Sequence, residues 1–388
     1  MVSGKDFPRS ISASRRRVAS AACCLAAAAL LASLPGLVRA QAPIEVGQSC
    51  NLSGASSSRI KEYAKGIDAY IAKLNSQGGV SGRPVKLIRY DDAFNADKTL
   101  ENARRLVEQD GALVLFGMGS APSTAAVLPY AAEKRVPVFG SVSGATSLRK
   151  PHPMLFHLRA SFADEIDRLA AHLATTGIKK IGVLAADLPI GKDGIAAIEA
   201  AAKANGLTII EIARVSADFK NLDQAVAGLA KNQPGAVLIL APSGPGIKFT
   251  EAIKNAGLTA QLVGLSVMSS DALYKTLGDR VRGMIITQIV PFPWSPKLDI
   301  GRDYQALMQE NKTPVSMDSM EGYVSARLLA EALKASAPRL TRESFIAGVE
   351  AMNRKDLGGM PVSFAASDRS VTRVVDITMI GRDGKLVN

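Results

Sequence analysis

At 388 residues the chain is long enough for two domains with separate cores, and 47% hydrophobic against 21% charged residues argues against extensive disorder. The formal charge of +12 is concentrated at the start. Residues 1–40 hold six basic residues (Lys5, Arg9, Arg15, Arg16, Arg17, Arg39) and one acid, Asp6, leaving 41 basic and 34 acidic residues, or +7, beyond them. No dense Lys/Arg run with interleaved aromatics follows, so the surplus reads as solvated surface and not as a nucleic-acid footprint.

The first forty residues read as an address. A basic stretch ending in Arg15-Arg16-Arg17 precedes the apolar segment VASAACCLAAAALLASL, which Pro35-Gly36 breaks. Val38-Arg39-Ala40 then offers small residues where a leader is cut, so residues 1–40 are expected to be a cleaved signal peptide, with Gln41 the mature start. The alternative, an uncleaved membrane anchor, would be alanine-rich, marginal in length and followed at once by a helix breaker. Ser14-Arg15-Arg16-Arg17-Val18 also loosely fits a twin-arginine signal. Cys23 and Cys24 leave with the leader, so Cys50 has no internal disulfide partner and the fold must rest on its core. The expected location is the periplasm.

From Ile44 onward, short apolar runs alternate with helical patterns. Strands are expected at Ile44–Gly47, Val85–Tyr90, Ala112–Phe116, Val136–Gly140, Lys180–Ala185, Thr208–Ile212, Ala236–Leu240, Leu262–Leu265 and Met284–Ile289. Several are nearly all aliphatic, as strands buried on both faces of a parallel sheet must be. Between them, Ile60, Tyr63, Ala64, Ile67, Tyr70, Ile71 and Leu74 form one helical stripe, and Gly177, Gly206 and Gly257 mark helix ends. Strand–helix units repeated over this length predict an α/β protein with parallel sheets in two similar lobes. The aperiodic, proline-flanked Arg149–Glu165, the proline-rich Ile289–Lys297 and Leu357-Gly358-Gly359 are expected to connect them. These connections assign 41–160 and 288–358 to lobe I, and 161–287 and 359–388 to lobe II. Ligands of such folds gather beyond the carboxyl ends of the strands.

The strand end Gly117-Met118-Gly119-Ser120-Ala121-Pro122-Ser123-Thr124 carries the most suggestive chemistry. It lacks the third glycine of a dinucleotide fingerprint, where Pro122 stands, and the Gly-Lys-Ser/Thr of a P-loop. What remains is a helix start with free N–H groups, Pro122 in a first-turn position and hydroxyls at Ser120, Ser123 and Thr124. Such a start suits a carboxylate as well as a phosphate, and equally suits Ser123 or Thr124 merely capping its own helix. A second hydroxyl-rich strand end holds Ser141, Ser143, Gly144 and Thr146, and a third holds Ser49, Asn51 and Ser53. Catalytic equipment is scarce. His152, His157 and His172 lack metal-ligand spacing, no G-x-S-x-G elbow occurs, and Asp91-Asp92 read as turn and cap formers. The residues suit holding a ligand, with no metal or cofactor and no catalytic role.

In YIAKLNSQGGVSGRPVKLIRYDD, VPVFGSVSGATSLRKP, FHLRASFADEI, GIKKIGVL, MEGYVSARLL and VVDITMIGRDGK, the chain resembles the periplasmic solute-binding proteins of ABC importers, branched-chain amino acid type, from about Ile44 to Lys385. The resemblance implies a type I periplasmic binding protein: two Rossmann-like lobes, three hinge crossings and a cleft that closes on a ligand. It implies a monomer that delivers an amino acid or other small organic carboxylate to a permease with cytoplasmic ATPases. An exported sensor of the same fold, reporting to a receptor without transport, is the alternative. Carried onto this chain, the carboxylate clamp falls on Ser120, Ala121 and Ser123 within the turn Gly119–Ser123, and on Ser141, Ser143 and Thr146, with Ser53 at the neighbouring strand end. The second lobe would close with Asp187, Ile190, Ser243 and Ser266. Where relatives often carry an aromatic or acidic side chain, this sequence has Ile190, Pro242-Ser243-Gly244 and Ser266. An α-ammonium group stranded in a poorly solvated cleft is costly, and only Asp187 or Glu321 offers itself as a substitute. The ligand is therefore expected to keep a carboxylate without having to be an amino acid; a bulkier organic acid, an aromatic one included, would fit.

Overall fold

The computed structural model describes Met1 and residues 42–54 and 57–388; the expected signal peptide, with Cys23 and Cys24, lies outside the described residues apart from Met1. The first half alternates β1 (Ile44–Cys50), α1 (Ser57–Ser76), β2 (Val85–Asp91), α2 (Ala96–Glu108), β3 (Val114–Met118), α3 (Ala121–Glu133), β4 (Val138–Ser141) and β5 (Leu155–Phe156). These strands form one parallel sheet in the order β2-β1-β3-β4-β5. β3 and β4 are buried along their whole length, which accounts for their apolar sequence up to the Ser141 tip of β4, under helices on both faces.

The chain continues through α4 (Phe162–Thr175), β6 (Lys180–Ala186), α5 (Pro189–Asn205), β7 (Thr208–Val215), α6 (Leu222–Asn232), β8 (Ala236–Leu240), α7 (Ser243–Asn255), β9 (Gln261–Gly264), α8 (Ser270–Leu277) and β10 (Ile285–Gln288). The left-handed φ of 65° at Gly206 ends α5, as that glycine's position predicts. The second sheet is parallel through β10. Beyond it β13 (Asp376–Ile380) and β14 (Leu386–Val387) add antiparallel edge strands, giving the order β14-β13-β10-β9-β8-β6-β7. Each expected strand is present with ends displaced by up to three residues, the largest displacements being at β1, which runs on to Cys50, and β7, which runs on to Val215. β5 lies inside a segment expected to be aperiodic; at two residues it is too short to show a period.

Between the second sheet and its last strands come α9 (Asp299–Glu310), α10 (Met317–Ala335), α11 (Arg342–Glu350) and the hairpin β11 (Lys355–Asp356)/β12 (Pro361–Val362). α10 returns to the first lobe and packs against α1 at backbone contact. A Cβ on Gly66 would stand 1.8 Å from Ser319 O, and one on Gly322 1.9 Å from Tyr63 O. Only glycine permits that approach. It seats Tyr323 edge-on to Tyr70, with ring centroids 5.4 Å apart, and brings the acidic residues of α10 beside Arg59 of α1.

The chain thus crosses between lobes three times: between β5 and α4, between β10 and α9, and before β13. The third crossing differs from the expectation. Leu357-Gly358-Gly359 belongs to the loop of the β11/β12 hairpin, where Gly359 N donates to Asp356 Oδ1 at 2.6 Å. Residues following it still bind the first lobe: Val371 N donates to His157 O at 2.8 Å, and the Phe364 ring lies 6.2 Å from that of Phe156. The chain leaves for the second sheet only beyond Val371, so 359–371 do not join lobe II as expected. Two adjacent glycines signal a turn, and a hairpin uses them as readily as a hinge does.

Candidate functional site

The carboxyl ends of β1, β3 and β4 face those of β6, β8 and β9. At the tip of β3, Ser120 adopts an extended φ of −157° and caps α3: its Oγ accepts from Ser123 N at 3.2 Å and donates to Ser123 Oγ at 2.8 Å. Thr99 Oγ1 lies 2.9 Å from Ser123 Oγ, tying the cap to α2. Gly119 must be a glycine because a Cβ there would stand 2.9 Å from Cys50 Cα. At the tip of β4, Ser141 Oγ lies 2.8 Å from Thr124 Oγ1 and accepts from Ser143 N at 3.3 Å, while Ser143 Oγ accepts from Ala145 N at 3.2 Å. Accepting leaves the Ser143 hydroxyl proton free to donate.

These tips line a cleft whose empty space, counted out to its open mouth, is ≈ 690 Å³. The first lobe contributes Asn51, Arg59, Ile60, Phe94, Gly119, Ser120, Ala121, Pro122, Val142 and Ser143. Opposite stand Phe162, Leu188, Pro189, Ile190, Pro242, Ser243 and Val267. One wall therefore offers a helix N-terminus, hydroxyls and a guanidinium, and the other is almost wholly apolar. None of these lining residues is an aspartate or glutamate.

Arg59 is buried, and its charge is held by α10: Nε lies 3.2 Å from Asp318 Oδ1, and Nη2 donates to Glu321 Oε2. Behind the cleft the network continues through Arg159 at the first crossing, which donates to Glu321 Oε1, Glu165 Oε1 and Val142 O, each at 3.1 Å, and to Ser266 Oγ. Glu165, at the start of α4, also accepts from Ser266 N at 2.8 Å and from Thr287 Oγ1. Ser269 of the second lobe donates to Asp318 Oδ2 at 2.7 Å. Burial pushes the Asp318 carboxyl up to about 6 even though Arg59 and the Ser269 hydroxyl pull it down; Glu321 and Asp271 add to the rise.

Of the residues expected to bind ligand, Ser120, Ala121, Ser143, Ile190 and Ser243 line the cleft. Ser123 and Ser141 are buried behind it, where they hold Ser120 and Ser143 in place. Ser266 is taken up by Arg159 and Glu165. Ser53 is exposed and donates to Asp91 Oδ2 at 2.6 Å, and Thr146 is exposed at the start of a short 3-10 turn, Thr146–Arg149. Asp187 is exposed 3.3 Å from Lys192, so it cannot supply a buried counter-charge. Glu321 is engaged by both arginines. Arg59, Asn51, Phe94 and Phe162 line the cleft without having been expected to bind. No sequence signal set Arg59 apart, since Lys61, Lys65 and Lys73 also adjoin the apolar stripe that begins at Ile60.

A two-lobed α/β protein with an asymmetric cleft, polar on one wall and largely apolar on the other, at facing strand tips is a ligand-binding protein. Residues 43–385 match the model of the periplasmic binding protein family, and the chain belongs to that family, in its type I, branched-chain amino acid class. It is similar to Leu/Ile/Val-binding protein homolog 8 of Brucella abortus, with 25% identity over 372 residues and 90% of each chain covered. It is also similar to an extracellular ligand-binding receptor from Verminephrobacter eiseniae, at 29% identity and a TM-score of 0.83, covering 89% of this chain and 100% of that one. The fold is shared too with a solute binding protein of an ABC transporter from Rhodopseudomonas palustris BisB5, solved with 3,4-dihydroxybenzoic acid. There the identity is 24% and the TM-score 0.75, over 89% of this chain and 95% of that one. Such relatives are solute-binding proteins.

Proposed function

We propose that this protein is the substrate-capturing component of an ABC importer. It is exported to the periplasm with loss of residues 1–40, acts as a monomer, and passes a small organic carboxylate to a membrane permease driven by cytoplasmic ATPases. One observation carries the reading: the cleft sets the N-terminus of α3, the Ser143 hydroxyl and Arg59 against a wall of Leu188, Pro189, Ile190, Pro242 and Val267. Anion-favouring donors on one side and apolar surface on the other suit an acid with an apolar body.

The substrate class follows from what the lining offers an ammonium group. With no carboxylate among the lining residues, a buried α-ammonium would rely on neutral acceptors such as the Asn51 amide, at considerable cost. Phe94 and Phe162 add aromatic surface to the lining instead. The favoured ligand is therefore an organic acid without an α-amino group, aromatic acids foremost. The bound 3,4-dihydroxybenzoic acid of the Rhodopseudomonas protein belongs to that class, whereas the name of the Brucella relative points to branched-chain amino acids. The first lobe holds the carboxylate, and closure about the three crossings brings the apolar wall over the rest.

Calorimetric titration with leucine, glutamate and benzoate tests the reading. Benzoate binding with leucine and glutamate silent is the expected result, and Ser143→Ala should weaken that binding by about 1–3 kcal/mol, the scale of a lost charge-assisted hydrogen bond. Micromolar binding of leucine, with no uptake of the non-amino acid, would refute it.

A further inference from the structure

The charges beside the cleft do not balance. Asp318, Glu321 and Glu165 face two guanidiniums, Arg59 and Arg159, and all five side chains are at least nine-tenths buried. When every group is ionised the cluster is net negative by one, and an anionic ligand at Arg59 would raise that excess to two in a poorly solvated space. An uncompensated charge in such a place is expensive. We propose that the cleft takes up its anionic ligand together with one proton from solvent, which Asp318 receives as Arg59 turns part of its charge toward the ligand. The proposal rests on the carboxylate reading of the cleft.

Asp318 is the member of the cluster held least firmly. Glu165 accepts from Arg159, the Ser266 amide and hydroxyl, and Thr287, and Glu321 accepts from both arginines. Asp318 has one hydroxyl partner, Ser269, and an ion pair with Arg59 Nε whose geometry does not make a hydrogen bond. The groups around it favour a proton further. Glu321 lies one turn along α10, and Asp271 approaches from α8 with Glu62 of α1 behind it; Tyr63 of α1 acts on the same Arg59, and Tyr304 of α9 lies near Asp271 and Glu62. Its carboxyl already stands at about 6 before any ligand arrives. A second negative charge at Arg59 moves it higher, so the proton is taken up at neutral pH. Protonation also preserves the contact between lobes, because the Ser269 hydroxyl can accept from the acid as well as donate to the carboxylate.

The ligand must stay ionised for the effect to be read, which holds for benzoic acids above pH 5.5. In the window between Asp318's value in the free protein, about 6, and its higher value in the complex, affinity falls as pH rises, by up to about tenfold per pH unit. Below the window it levels off. Calorimetric titration of benzoate and 3,4-dihydroxybenzoate into the full mature chain at pH 7, in phosphate and in Tris, measures the protons taken up through the buffer dependence of the heat. A net uptake of about half to one proton per ligand, lost in Asp318→Asn together with the pH dependence of the dissociation constant, is the expected result. Tight binding whose heat is independent of buffer, and whose affinity is flat from pH 6 to 8, overturns the proton coupling and leaves the carboxylate reading standing. Failure of every acid to bind overturns that reading, and this inference with it. Should Asp318→Asn not fold, the buffer dependence of the unmodified chain decides alone.

Discussion

Arg159→Met tests how far the two lobes depend on the buried charge network. Arg159 is 2% exposed and sits where the chain first crosses. Methionine keeps much of its volume but removes the donors to Glu165, Glu321, Val142 O and Ser266. Glu165 and Glu321 then face each other without the positive charge between them. Breaking a buried pair from one side costs about 3–5 kcal/mol, because the stranded carboxylate, and not the lost attraction, sets the penalty. Urea unfolding at pH 7.5 can be followed by the fluorescence of Trp294, the single tryptophan of the chain, which lies on the second crossing 5.1 Å from the Phe292 ring. With a urea slope of about 3 kcal/mol/M, the midpoint should fall by roughly 1–1.7 M. Adding Glu165→Gln should return part of the loss, with a coupling of about 1–3 kcal/mol. A midpoint within about 0.3 M of the unmodified protein, with the slope unchanged, would refute the view that Arg159 is needed to neutralise these carboxylates.

Three further outcomes follow from particular contacts. Gly322→Ala would force a Cβ to within 1.9 Å of Tyr63 O; the strain should exceed the ~1 kcal/mol gained in helix propensity and lower the melting temperature, and an unchanged or raised value would contradict the close packing of α1 on α10. Asp187→Ala removes only an exposed pair with Lys192 and should leave benzoate affinity unaltered and stability within about 0.5 kcal/mol, whereas a tenfold loss of binding would return Asp187 to the site. For Asp318 the sign runs opposite to most carboxylates. Its folded value of about 6 lies above the ordinary 3.8, so the folded state holds the proton more tightly and stability is lost as pH rises from about 4 through 6. The gap is worth roughly 3 kcal/mol at ~1.4 kcal/mol per pH unit. Asp318→Asn should therefore gain stability relative to the unmodified protein between pH 4.5 and 7.5, as read by urea midpoints, and equal differences at the two pH values would exclude the raised carboxyl.

The sheets were legible because strands buried under helices on both faces must be largely apolar, as β3 and β8 are throughout and β6 is beyond Lys180. β5 and the β11/β12 hairpin were not, since two-residue strands carry no period. Ser120 and Ser143, read as strand-tip positions because small hydroxyl residues follow an apolar run, line the cleft. Ser53, Thr146 and Asp187 do not line it: they are exposed, with Ser53 bonded to Asp91 and Asp187 beside Lys192, because a position in a loop does not fix the direction of a side chain. Ser266 was identified as marking a lost acid, yet Glu165 fills that surrounding with charge from a different helix. Arg59 was missed for a related reason: its partners Asp318 and Glu321 lie over 250 residues away in sequence, brought near only by the glycine contact between α1 and α10.

Cys50 closes β1 at the edge of the cleft, fully covered, and burial lifts its thiol to about 12. Thiolate chemistry is therefore suppressed there in the native protein. A chain beginning at Gln41 would contain no other sulfhydryl, so a cysteine engineered onto the rim, at exposed Asp187 for instance, would accept a fluorophore at one place only. The molecule is by construction ready to be made into an optical reporter of its own ligand, with no native residue to be removed first.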